Sequence, residues 1–194
     1  MPLVTLNKSA SQSSVQTASG SISAIAYDGL LDGVFTQLQT CSYVHFRSDG
    51  QLSMHDFLIT GIEYLKTIID PSFHSSCVVH LTTFSMTEFS ARIHAQHKDS
   101  TDISELHILI DKEAQIRYPN VNQLITNVCD NIGHVSIHAK VLLIKMGSAS
   151  HTMLTSAKWT KKPRVEDGVI DSDLNINQYH RSWIDAKIKT ASND

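Results

Sequence analysis

The chain has 194 residues, of which 41 % are hydrophobic and 18 % charged, a composition that suits one globular domain with a hydrophobic core. Its 16 basic and 19 acidic side chains give a net charge of −3 at pH 7. This balance excludes a polybasic protein of the histone type, although it permits a local basic patch. No apolar run approaches the roughly 18 residues that a membrane-spanning helix needs. The N-terminal residues also lack the apolar core and cleavage site of a signal peptide.

Three widely spaced cysteines, Cys41, Cys77 and Cys129, include no CxxC pair. An odd, dispersed set of this kind predicts buried free thiols rather than a disulfide framework or a zinc site. Together with the absence of a targeting signal, it predicts a soluble protein of the cytoplasm.

The N-terminal segment is rich in serine and poor in large apolar residues, most clearly over residues 8–24. Such a segment buries too little surface to offset the entropy lost on ordering, unless a partner strand captures it. We therefore expect a flexible arm over residues 1–25, followed by a single domain over residues 26–194.

The first half of this domain alternates between helical and strand patterns. Apolar residues at helical spacing (Leu58, Ile62, Leu65, Ile69) predict a helix that Pro71 ends. Further along lie a strand over 77–84, a helix opened by the capping box Ser85–Glu88, a strand over 106–110 and a helix beginning near Asn120. The alternation predicts an α/β fold with a mixed, largely parallel central sheet flanked by helices.

The pattern changes from Val135 onward. Residues 135–145 are rich in β-branched and apolar side chains, and the turn 146–148 precedes an antiparallel partner strand over 151–155. A short strand at 169–170 and an irregular helical stripe over 176–189 complete the chain.

His138 and Lys140 stand two residues apart in the sequence HAKVLLIK (138–145). In a strand, residues at this spacing project from the same face. An imidazole beside an ammonium is electrostatically unfavourable unless an anion lies between them. The pair therefore predicts either a site in which the imidazole is nucleophile or base and the ammonium holds anionic oxygens, or simply the polar face of a strand edge.

A second polar block, TSAKWTKKPRVEDGVI (155–170), follows one hairpin later. Its hydroxyls and four cations (Lys158, Lys161, Lys162, Arg164) suit phosphate oxygens, and Trp159 suits stacking on a base. The carboxylate Glu166 comes just behind and is able to orient an imidazole.

The order and spacing of these two blocks resemble the phospholipase D-like (HKD) superfamily, and within it the single-motif, nuclease-like branch found in bacteria and phages. The upstream segments VVHLTTFSMTEFSARI (78–93) and ELHILID (105–111) resemble the elements that precede the family's motif. The resemblance covers residues 50–172.

The resemblance implies a role for each matching residue. His138 would be the nucleophile that forms a phosphohistidine, and Lys140 would bind the non-bridging oxygens. Ser156 matches the serine of the Gly-Ser-x-Asn element, and Glu166 matches the acidic residue that holds the nucleophilic imidazole. Family members with one motif form homodimers in which two copies share one active site, and they require no metal or other cofactor.

Three positions depart from the family pattern. Lys145 replaces an aspartate, Thr155 replaces a glycine, and Lys158 replaces the asparagine beside the phosphate. The last change exchanges a neutral amide for a mobile cation, which either neutralises a phosphate or crowds the pocket.

Three functions remain open, and the third of them is an interaction domain whose serine-rich arm docks a partner. The first is a metal-independent phosphodiesterase or nuclease that acts on nucleic acid, DNA rather than RNA, with no membrane involved, because the basic run 158–164 suits a phosphate backbone. The second is a catalytically silent module of the same fold that binds nucleic acid or a protein partner. For metals, the spacing of His94 and His97 on a helix lacks a neighbouring acidic or cysteine ligand, so no metal site is predicted.

Overall fold

A computed structural model of the chain describes residues 3–7, 12–17, 20–25, 30–48, 54–69, 76–156, 159 and 166–191, with side chains for 33–46, 54–69, 76–156, 159 and 167–191. The strands are β1 (Leu3–Asn7), β2 (Gln12–Thr17), β3 (Gly20–Ile25), β4 (Tyr43–Ser48), β5 (Cys77–Thr83), β6 (Ile103–Asp111), β7 (Asn131–Val135), β8 (Val141–Met146), β9 (Ala149–Thr155) and β10 (Glu166–Asp171). The helices are α1 (Leu30–Gln37), α2 (Met54–Ile68), α3 (Glu88–Asp99), α4 (Glu113–Arg117), α5 (Pro119–Val128) and α6 (Leu174–Ala191). None of the helices in this described part is both long and apolar enough to cross a bilayer.

The strands form one mixed sheet in the order β3-β2-β1-β4-β10-β9-β8-β5-β6-β7. Among the strand pairs of the described residues, β1–β4, β5–β6 and β6–β7 are parallel, and the other six are antiparallel. The α/β class with flanking helices is confirmed, whereas the prediction of a largely parallel sheet is wrong. The strand–helix alternation of the first half does give the parallel pairs, but the strands of the second half add to them by hairpins and antiparallel pairing.

The sheet separates two apolar clusters. The larger one joins alternate residues of β5, β6 and β8 to α1, α2, α3 and α5, and it includes Phe35, Phe46 and Leu58. The smaller one lies on the opposite face, where Ile184 and Ile188 of α6 pack on Leu109, Val141 and Leu143. Because both faces are covered, β5 is buried along almost its whole length.

Most predicted elements are present with shifted boundaries. The helix that ends before Pro71 is α2, the hairpin is β8–β9, and Gly147 adopts the left-handed φ of +56° that the turn requires. The cap of α3 is Thr87 and not Ser85, since the Thr87 hydroxyl accepts a hydrogen bond from the Ser90 N–H. The predicted strand over 135–145 is interrupted, because β7 ends at Val135 and β8 begins at Val141.

The three cysteines are free thiols, as predicted, but only Cys77 is buried. Its burial raises the pKa of the Cys77 thiol to about 12, so the group is an unreactive thiol at neutral pH.

The N-terminal segment contributes backbone to the sheet. Strand β1 pairs in parallel with β4, and β2 and β3 extend the sheet outward from it. From the sequence we expect this segment to become ordered only when a partner strand captures it, and strand pairing is what the structure has. The division into an arm over 1–25 and a domain over 26–194 stays a prediction.

Candidate active site

Six strands bring their ends together at one edge of the sheet. The parallel strands β5, β6 and β7 end there, and β8 begins there because Thr82 of β5 is opposite Val141. Since β9 runs antiparallel to β8, and β10 to β9, the end of β9 and the start of β10 lie at the same edge. The carboxyl ends of parallel strands are a common place for ligand sites in α/β sheets. Both polar blocks of the sequence reach this edge.

His138 and Lys140 lie in the irregular segment between β7 and β8. The ammonium Nζ of Lys140 donates to the backbone carbonyl of His138 at 2.9 Å and lies 3.5 Å from the His138 Nδ1. The His138 residue is exposed, whereas Lys140 is only 8 % exposed. The prediction that a strand presents both groups is wrong, because β8 begins one residue after Lys140. The two groups are nevertheless together.

The position of the Lys140 ammonium selects a tautomer of His138. An ammonium has hydrogens to donate and no lone pair, so at this separation it favours an unprotonated Nδ1. In the neutral ring the proton is then on Nε2. A nucleophilic Nε2 requires the other tautomer, and therefore a proton acceptor near Nδ1.

Two buried side chains hold the segment that carries this pair. The Asp111 carboxylate accepts hydrogen bonds from the backbone N–H groups of Ile137, at 2.9 Å, and Glu113, at 3.0 Å. The Thr82 hydroxyl donates to the carbonyl of Ala139 at 2.9 Å and accepts from the N–H of Val141 at 3.0 Å. Neither residue was singled out from the sequence. The only available signal was their place at the ends of two predicted strands.

The hydroxyl block joins Lys140 through the backbone. The N–H of Thr155 donates to the carbonyl of Lys140 at 3.2 Å. The next residue, Ser156, exchanges two hydrogen bonds with Asp167: its N–H donates to the Asp167 carbonyl, and its hydroxyl accepts from the Asp167 N–H, both at 2.9 Å. Ser156 and the start of β10, where Glu166 stands, are thus held beside the His138–Lys140 segment.

The remaining predicted residues divide into two groups. Glu166 is the first residue of β10, but its side chain lies outside the described residues, as do Lys158, Lys161, Lys162 and Arg164. Trp159 is described and is completely buried. Its ring lies 4.6 Å from that of His94, and its carbonyl accepts a hydrogen bond from the Ser90 hydroxyl at 2.7 Å. The prediction that Trp159 stacks on a base is therefore wrong, since the ring has no exposed face.

A different aromatic ring lies beside His138. The ring centroids of Phe84 and His138 are 5.7 Å apart, and the guanidinium carbon of Arg117 lies 5.9 Å from the centre of the Phe84 ring. The Arg117 side chain is 56 % exposed and is paired with Glu113 one helical turn earlier. Sequence reasoning missed both residues because they belong to loops and helix ends distant from the two motifs.

No protein-family model matches this sequence, and no curated protein matches it. Two solved structures are similar in fold. One is described as the crystal structure of a phospholipase D family member, Nuc from Salmonella typhimurium, with a TM-score of 0.50 and 15 % identity over 75 % of this chain and 93 % of that chain. The other is polyphosphate kinase from Porphyromonas gingivalis, with a TM-score of 0.55 and 13 % identity over 85 % of this chain. This chain spans 27 % of the kinase.

The fold and the site geometry support the same assignment of the fold. A mixed sheet flanked by helices carries a histidine and a lysine at the strand edge where a Thr-Ser block and an acidic strand start converge. The two solved structures are similar to this chain in fold over 75 % and 85 % of its length. The chain has a phospholipase D-like fold.

Proposed function

We propose that the chain is a phosphodiesterase that cleaves nucleic acid, DNA in preference to RNA, through a phosphohistidine on His138. The observation that supports the proposal best is the juxtaposition of an exposed imidazole and a mostly buried ammonium 3.5 Å apart. A phosphodiester placed at this pair gives the ammonium anionic oxygens to bind, and it gives the imidazole an electrophilic phosphorus.

The reaction takes two steps. In the first, Nε2 of His138 forms a bond to phosphorus, the bond from phosphorus to the leaving oxygen breaks, and that oxygen receives a proton. In the second, water attacks the phosphohistidine, releases a proton, and frees the imidazole. The group that gives and recovers the proton is a second imidazole, which we assign to His138 of the partner subunit in a homodimer. No metal takes part in either step.

Glu166 completes the nucleophile in this proposal. Because Lys140 favours the tautomer with the proton on Nε2, attack requires that this proton move to Nδ1. A carboxylate next to Nδ1 would stabilise that second tautomer. Glu166, the first residue of β10, lies at the same edge of the sheet as His138, since its neighbour Asp167 is bonded to Ser156.

Nucleic acid is the substrate that the charge pattern favours. The run 158–164 brings four cations to the segment between β9 and β10, and Arg117 adds one next to Phe84 and His138. A phosphate backbone binds such a set by releasing counterions. With Trp159 in the core, Phe84 is the ring available for stacking near the reacting group.

The test measures hydrolysis of bis-(p-nitrophenyl) phosphate and of single-stranded DNA in EDTA. We expect activity in the wild type, loss of that activity in His138→Ala, and retention in His180→Ala, a control on α6 whose Nδ1 accepts from Trp183. If the wild type is as inactive as His138→Ala, the proposed enzymatic activity is rejected. Light scattering tests the dimer, which has a mass of about 43 kDa, twice the 21.5 kDa of the chain; a strict monomer would lack the second imidazole.

A catalytically silent DNA-binding module is the second candidate. It is favoured by the Nε2–H tautomer that Lys140 selects, and by the substitutions at Lys145 and Lys158. DNA binding without hydrolysis in both wild type and His138→Ala would establish it. Lys158→Asn introduces the amide that the family carries at this position, and it separates the enzyme from the silent module. In an enzyme we expect turnover to rise or stay unchanged.

A further inference from the structure

Three potential metal ligands meet on the face of the sheet that α6 covers: His80 of β5, His107 of β6 and Asp185 of α6. One ligand atom from each lies within 4.8 Å of the other two. His80 is opposite His107 across the parallel pair, and their rings stack at 4.3 Å with an angle of 19° between planes. The His80 Nε2 lies 3.0 Å from an Asp185 oxygen.

Burial disfavours the charged form of His80. His80 is 2 % exposed, and burial, together with the neighbouring His107, lowers the pKa of His80 to about 4 despite the Asp185 carboxylate.

Four further groups surround the cluster. The His107 Nε2 lies 3.1 Å from the Glu105 carboxylate, and its Nδ1 lies 3.0 Å from the Asn131 amide nitrogen. The Asp130 carboxylate accepts from the N–H of Leu106, the residue before His107, at 2.7 Å and is paired with Lys98. Arg181 lies 3.4 Å from the second oxygen of Asp185. Two acidic side chains therefore stand beside the histidines, and one guanidinium competes with a cation for Asp185.

We propose that His80, His107 and Asp185 form a binding site for a zinc-type divalent cation that connects α6 to the sheet. Two imidazole nitrogens and one carboxylate oxygen are a common donor set for zinc, with Glu105 or water available for the fourth position. Metal bonds of roughly 2.1 Å place tetrahedral ligand atoms roughly 3.4 Å apart. The His80 Nε2 lies 3.0 Å from the Asp185 oxygen, and all three ligand atoms lie within 4.8 Å of one another, so small movements bring them to that spacing.

Binding requires a small rearrangement of the outer ligands. The His107 ring has to rotate out of its stack and exchange its contacts with Glu105 and Asn131 for a metal bond. Asp185 is 44 % exposed on its side chain, so it has room to move towards the ion. His80 is the fixed member, because it is buried between the strands and the helix.

An ion here would stabilise the folded chain, because its ligands come from three elements that separate on unfolding. Asp185 follows Ile184 and precedes Ile188, the two α6 residues of the smaller apolar cluster. The ion would thus reinforce the contact of α6 with β5 and β6. This role does not depend on the proposed phosphodiesterase activity.

The experiment titrates the chelator-treated full chain with Zn²⁺ by calorimetry and with Co²⁺ by absorbance. We expect one ion per chain, tetrahedral Co²⁺ bands, and a melting temperature that rises with Zn²⁺. His107→Gln and Asp185→Asn each remove one ligand of the site, and each should weaken binding by about 10-fold or more.

The matched control is His97→Gln. The His97 Nδ1 lies 2.9 Å from Asp102, so this variant removes another histidine–aspartate pair while leaving the cluster intact, and it should bind as the wild type does. If Zn²⁺ leaves the melting temperature unchanged, or if all four proteins bind it with the same affinity and stoichiometry, the site is rejected.

Discussion

Asp111 accepts a hydrogen bond from the backbone N–H of Ile137 at 2.9 Å, joining the end of β6 to the segment that carries His138. A second backbone N–H, from Glu113, bonds to the other carboxylate oxygen. Asp111→Ala would leave both N–H groups without this partner. We expect the free energy of unfolding to fall by about 1.5–3 kcal/mol, measured by urea denaturation.

The same substitution should also reduce hydrolysis, because the segment holding His138 loses an anchor. Asp99→Ala, at an exposed position that ends α3, is the control and should leave both measurements unchanged. Equal stability of Asp111→Ala and the wild type would show that the carboxylate contributes nothing to holding the segment.

Thr82 holds the other side of Lys140. Its hydroxyl bonds to the carbonyl of Ala139 and to the N–H of Val141, and the residue is fully buried. Thr82→Val keeps the shape and removes both bonds, so we expect about 1–3 kcal/mol less stability. Thr82→Ser should recover part of the loss.

The control for Thr82 is Thr126→Val on α5, which removes an exposed hydroxyl bonded to the Asn122 carbonyl. It should change stability far less in the same denaturation series. A cost at Thr126 equal to that at Thr82 would contradict the assignment of Thr82 as an anchor.

Arg117 is expected to contribute to DNA binding if the proposed function holds, since its guanidinium lies over Phe84 beside His138. Arg117→Ala should weaken binding of single-stranded DNA and reduce the slope of log affinity against log salt by about one. Arg92→Ala is closely matched, because Arg92 is also exposed and paired with a glutamate four residues earlier. Identical slopes for both variants would remove Arg117 from the binding surface.

His151 should make the fold sensitive to acid. Its ring is buried between Phe35 and Tyr64, with no hydrogen-bond partner for either nitrogen in the described part of the chain. Burial lowers the pKa of His151 to about 4 from 6.5. The folded pKa lies below the unfolded one, so the stability linked to the neutral ring is complete above pH 6.5 and is lost as the pH falls towards 4.

The expected slope for this one histidine is about 1.4 kcal/mol per pH unit inside that window. His151→Leu should therefore flatten the dependence of unfolding free energy on pH between 6.5 and 4, with urea denaturation at several pH values as the measurement. His80 and His94, whose pKa values burial lowers to about 4 and about 3, contribute further slope, as do His134 and His180, whose pKa values burial also lowers. An unchanged slope in His151→Leu would show that the ring titrates alike in both states.

Local patterns in the sequence predicted the elements well, because α2 and the β8–β9 hairpin are specified by spacing and turn residues within one segment. They also placed His138 beside Lys140. The strand that was expected to present them is absent at these residues. The Thr82 hydroxyl and the Asp111 carboxylate bind the backbone N–H groups of Val141 and Ile137. These partners are distant in sequence, so local patterns do not predict the contacts.

Several wrong predictions also arise from contacts between residues that are distant in sequence. A tryptophan within KWTKKPR appears exposed from its neighbours in the chain, but contacts with His94 and Ser90 bury it. Two of the six antiparallel pairs, β4–β10 and β5–β8, join segments that are distant in sequence, whereas the other four join successive strands. The cluster of His80, His107 and Asp185 has no recognisable spacing, since its members come from three separate elements.

The position of β10 governs the order in which the protein can be completed. Strand β10 lies between β4 and β9 and so connects β1–β4 to the rest of the sheet. Tyr43 of β4 therefore gains its neighbour on this side, Asp171, only after β10 has been synthesised. On the ribosome, the N-terminal strands therefore emerge long before the partner that connects them to the rest of the sheet. Distant pairing of this kind raises contact order and slows folding. Nascent chains that stop before Glu166 would leave one edge of β4 and one edge of β9 unpaired, and unpaired strand edges of this kind favour aggregation.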